Sequence, residues 1–135
     1  MLRFPRAFSG PDIPGDPFGR SFFERVSKAN EKTGRARLKK IEEAFRMAVP
    51  QLKELIHVID SNDGSVPHLE AIDEGWRMSG ARQCEDQFSD GTLRLIGLFW
   101  VLLESDSLLL LEEPELSLHP EIVKKLPASI YRLLR

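Results

Sequence analysis

The segment after Gly91 reads TLRLIGLFWVLLE through Glu104 and is apolar almost all the way round a helical wheel. A helix without a polar face has to be enclosed by other elements. This stretch therefore excludes a lone surface helix and demands packing layers around it. Ser89 or Asp90 can cap its start by accepting an orphan N–H of the first turn. Ser105-Asp106-Ser107 breaks it, and Leu108 to Leu111 follows as four leucines bounded by polar residues. Periodicity alone cannot separate so short a run from a piece of helix. Its brevity and the flanking Ser and Pro predict a buried, parallel strand. A last helix is predicted from His119 or Pro120 through Arg135, with Pro127 as an internal kink. Helix, strand, helix is the alternation of an α/β layered fold.

Upstream, residues 1–20 hold four of the nine prolines and three of the nine glycines, which predicts loop or extended chain. From Ser21 the pattern turns helical. Leu38, Ile41, Phe45, Ala48 and Val49 recur at spacings of three and four and form one apolar stripe, which Pro50 should end. The apolar run Leu55 to Asp60, the turn residues Ser61-Asn62-Asp63-Gly64, and the alternating run Val66 to Ile72 predict a β-hairpin. Trp76 to Met78 adds a short strand. The division that follows is residues 1–30, a Pro/Gly-rich segment with the start of a helix, and residues 31–135, the α/β unit.

Composition narrows the function classes. A 41% hydrophobic chain can bury a core, and its single cysteine, Cys84, excludes an internal disulfide framework or a cysteine-rich zinc site. No apolar run reaches the roughly 18 residues of a membrane span, and no apolar leader opens the chain, so a cytoplasmic protein is expected. The formal charge of -2 conceals net values of +6 over residues 1–40, -11 over 41–120 and +3 over 121–135. The basic residues between Arg25 and Lys40 fit either a solvated helix face or contact with a DNA backbone.

Two places could carry chemistry. Glu112 and Glu113 stand at the carboxyl end of the leucine strand, where open α/β sheets bind ligands. One carboxylate there can hold Mg²⁺ and its neighbour can deprotonate a water. An acidic loop before a helix is the competing reading. The second place is Gln87-Phe88-Ser89-Asp90-Gly91-Thr92, ahead of the enclosed helix. Its helix N-terminus suits a phosphate, or is an ordinary Ser/Asp cap. Cys84 reads as a loop thiol, and His57 with His68 across the hairpin lacks a third metal ligand.

Taken together, the order and separation of these two places resemble the ABC-type ATPase domain of SMC-like and RecF-like proteins. The run FSDGTLRLIGLFWVLLESDSLLLLEEPELSLHP, Phe88 to Pro120, looks very like AAA-type ATPases of that superfamily. SDGTLR stands in the place of the signature motif and EEPE…LHP in the place of Walker B and the D-loop. The resemblance covers residues 36–135. It implies a P-loop NTPase lobe with helices on a mostly parallel sheet, using ATP and Mg²⁺. It implies Glu112 as the magnesium carboxylate, where Asp is commoner, and Glu113 as the catalytic base. Ser89, Asp90 and Gly91 would meet the γ-phosphate of a nucleotide held by a partner protomer. Leu116 and Ser117, with Leu118 and His119, would form the D-loop at the dimer interface.

A P-loop is the missing part. Gly10 to Gly15 has the two glycines, but Asp16 stands where Lys is needed and two prolines remove N–H donors. The strand that would carry the switch histidine is also not in this sequence. The expectation is an incomplete ABC-type ATPase domain, inactive without a P-loop-bearing partner or segment, which dimerises on ATP. The alternative is a non-catalytic interaction or regulatory module derived from such an ATPase.

Overall fold

The computed structural model describes residues 25–58, 68–73, 82–84, 87–104, 115 and 118–135. Residues 25–28 are helical, and the chain then breaks at Ala29 and Asn30. Continuous helix from Ser21 is thus corrected for the described part. The Asn30 side chain accepts the Lys32 N–H at 3.0 Å, the local bond by which Asn opens a new helix. Helix α1 (Glu31–Ala48) starts there and buries Leu38, Ile41, Ala44, Phe45 and Ala48. These positions contain the predicted stripe, and Val49 is buried with them. Pro50 follows directly, as anticipated.

The hairpin is present. Strand β1 (Leu52–Val58) pairs antiparallel with β2 (His68–Asp73), Val58 opposite His68. The predicted turn at residues 61–64 lies outside the described residues, as does the strand expected at 76–78. The third strand is β3 (Arg82–Cys84), antiparallel to β2, with Cys84 opposite Glu70. Cys84 is therefore a strand residue rather than a loop thiol, because its backbone is held by the β2 ladder. The sheet order is β1-β2-β3.

β1 contains a bulge. Lys53 faces Ile72 and Ile56 faces Glu70, so Glu54 and Leu55 together oppose Ala71. Glu54 sits at φ 51, the left-handed region that a non-glycine residue rarely occupies. The extra residue explains the burial pattern. Leu52 and Leu55, three apart, would point to opposite faces of a regular strand, yet both are 4% exposed. With the bulge, both join Leu69 and Ala71 on the face against α1.

Helix α2 (Asp90–Glu104) is the enclosed helix. Leu95, Ile96, Leu98, Phe99 and Trp100 are all essentially inaccessible. Phe99 meets Phe45 of α1 edge-on, with centroids 5.6 Å apart, and Arg37 lies over the Trp100 ring. An ion pair between Arg25 and Glu104 fastens the first helical segment to the end of α2. Helix α3 (Pro120–Leu133) is capped by His119, whose Nδ1 accepts the Glu121 N–H. It runs through Pro127 and packs Leu126, Ser129 and Leu133 mainly along α1.

The fold is mixed α/β, and its described sheet is antiparallel. The parallel strand expected at 108–111 lies outside the described residues. No described helix is long and apolar enough to cross a membrane.

Candidate nucleotide-contact site

Ser89 settles the choice of cap. Its Oγ accepts the Thr92 N–H at 3.1 Å and lies 2.9 Å from the Thr92 hydroxyl. Its carbonyl accepts the Leu93 N–H at 3.1 Å. Asp90 is then the acidic residue of the first turn. Its charge suits the helix dipole and opposes an incoming phosphate. Phe88 is buried beneath the loop while Gln87, Ser89 and Asp90 are exposed. The loop thus has an apolar anchor and an accessible polar rim. Capping uses a lone pair of the Ser89 hydroxyl, and its proton is shared out between the Thr92 hydroxyl 2.9 Å away and any acceptor at the exposed rim. Gly91 is buried within the first turn. Arg94, the sole cation of α2, has a buried Nε with no partner among the described residues.

A family model matches residues 11–135, and its description reads "AAA domain, putative AbiEii toxin, Type IV TA system". The chain belongs to this AAA domain family. It is accordingly an ATPase-like domain of the P-loop NTPase type, a class that generally works with nucleotide and Mg²⁺. No curated protein and no solved structure matches the chain.

In this AAA domain Ser89, Asp90 and Gly91 are brought together at the start of α2. Glu112, Glu113, Leu116 and Ser117 lie outside the described residues. His119 acts as the α3 cap. The described chain also forms a groove of about 660 Å³, lined by Val26, Ser27, Gly34, Leu38, Leu55 and His57 among others. Ser27 Oγ and His57 Nε2 are 3.4 Å apart there. Burial pushes the His57 imidazole below its usual pKa, and His68 pushes in the same direction.

One grouping escapes a reading of the sequence. His68, Glu70 and Cys84 converge on the sheet face opposite α1, with ligand atoms all within 4.8 Å of one another. The His-x-Glu spacing is visible in the sequence. The cysteine is not, because only the β2–β3 register puts it beside Glu70.

Proposed function

We propose that this AAA domain is the signature and Walker B portion of an ABC-type, SMC-like ATPase lobe, residues 31–135, that hydrolyses ATP when a P-loop is supplied. The reading is carried by the exposed, Ser89-capped start of the enclosed helix α2. Such a helix start offers backbone N–H groups and a hydroxyl to an anion. In this reading Ser89 and Gly91 contact the γ-phosphate of a nucleotide held by a second protomer. Asp90 keeps the loop ordered by favouring the helix dipole.

Glu112 would hold Mg²⁺, which when bound neutralises charge on the phosphate oxygens. Glu113 accepts a proton from the attacking water. Leu116 and Ser117 belong to the D-loop that meets the partner protomer, and a parallel strand at 108–111 carries the two carboxylates.

The decisive experiment supplies a P-loop, in the same chain or from a partner, and compares wild type with Glu113→Gln. The expected result is loss of phosphate release with retention of an ATP-held dimer. Continued release by Glu113→Gln would remove that residue from the base role. The chain by itself is expected to bind ATP weakly, as its sequence contains no G-x-x-x-x-G-K-[ST] run. Tight ATP binding by this chain, unchanged in Ser89→Asp, would contradict the reading.

A further inference from the structure

We propose that His68, Glu70 and Cys84 form a site for a zinc-class divalent metal ion on the outward face of the sheet. The placement follows from the ladder. His68 and Glu70 are two apart on β2 and share a face. Cys84 stands directly across from Glu70 on β3, and cross-strand neighbours also share a face. His68 Nε2 lies 3.2 Å from Glu70 Oε1, and the three ligand atoms fall within 4.8 Å of one another. Bonds of roughly 2.0–2.3 Å in a tetrahedral site place ligands about 3.5 Å apart. The remaining gap of about 1 Å is of the size that a side-chain rotation spans.

The donor set selects the ion. Imidazole nitrogen, carboxylate oxygen and thiolate sulfur together suit Zn²⁺ and its relatives, whereas Mg²⁺ and Ca²⁺ demand oxygen. Three protein ligands leave one tetrahedral position open, to be filled by water or an outside ligand. His68 and Glu70 have side chains only 25% and 21% exposed, and Cys84 is exposed, so the site has partly enclosed walls and an entry path.

The surroundings are also arranged. Arg82, on the same face of β3, places Nη1 3.9 Å from Glu70 Oε2 and Nη2 3.3 Å from Glu54 Oε2. It engages the Glu70 oxygen that does not face His68. This leaves Oε1 directed at the metal position, as outer partners of metal carboxylates do.

The test titrates the reduced full chain with Co²⁺ and then competes with Zn²⁺. One Co²⁺ per chain is expected, with a sulfur-to-cobalt charge-transfer band that Zn²⁺ abolishes. Cys84→Ser should erase the band. His68→Gln and Glu70→Gln should each weaken Zn²⁺ binding by roughly 100-fold or more, at or beyond the upper end for losing an outer partner. Far-UV circular dichroism, expected to be unchanged in all three variants, separates loss of a ligand from loss of the fold. The absence of a charge-transfer band in the wild type would overturn the proposal. So would unchanged Zn²⁺ affinity in folded His68→Gln and Glu70→Gln, which would assign the metal to the thiol alone.

Discussion

The Cys84 backbone N–H donates to the side-chain carbonyl of Gln87 at 3.2 Å, joining the end of β3 to the loop that caps α2. Two residues after Gln87, Ser89 closes the first turn of the helix. Cys84, which shares its sheet face with His68 and Glu70, is thus tied to the loop whose polar rim is Ser89.

Because Ser89 is the cap, removing its hydroxyl has a structural cost separable from any role with nucleotide. Ser89→Ala is expected to lower stability by about 1 kcal/mol, measured by urea denaturation. Ser89→Asp keeps an acceptor for the Thr92 N–H and should retain most of that stability. In a P-loop-bearing context, however, it sets a negative charge against a phosphate and should lose turnover. Equal turnover in Ser89→Asp and wild type would make the cap the whole of its role.

His57 makes stability depend on pH. Its pKa is lowered in the folded state by burial and by His68, so on acidification the unfolded chain takes up the proton first. The associated stability is complete above the ordinary value of about 6.5 and is lost as pH falls below it. Melting temperature, measured with EDTA present to keep metal off His68, should therefore decline from about pH 7.5 to about pH 5.5. His57→Gln should flatten that decline. An identical slope in the variant would assign the dependence to other groups.

Gly34 is the fourth residue of α1 and is buried. A methyl group there would meet only the Ala29 Cβ, at 3.9 Å, an ordinary contact. Glycine inside a helix costs about 0.5–1 kcal/mol relative to alanine. Gly34→Ala should thus raise stability by that amount in chemical denaturation. A loss would mean that the chain at Ala29 cannot accommodate the added group.

Periodic elements were the legible ones. The α1 stripe at Leu38, Ile41 and Phe45 and the enclosed α2 announce themselves because burial on a helix repeats every three to four residues. The hairpin is legible from β-branched residues around a turn sequence. β3 is not: Arg-Gln-Cys has no strand preference of its own and becomes a strand by pairing with β2. The break before α1 depends on one Asn30 bond, too local to outweigh the helical pattern around it. At the candidate site, the Ser/Asp cap was visible and its choice between the two residues was not, since that is decided by which oxygen reaches the Thr92 N–H. The His68–Glu70–Cys84 grouping needed the register of two ladders, which no spacing along the chain encodes.

The bulge at Glu54 has a consequence beyond aligning Leu52 with Leu55. Within the described sheet β1 is an outer strand, the position whose backbone groups can in sheets generally invite a strand from another molecule. A left-handed residue in its middle interrupts the even spacing of those groups. An incoming straight strand could match β1 on one side of Glu54 but not on both. The same residue that keeps two leucines in the core thereby makes this edge a poor template for aggregation.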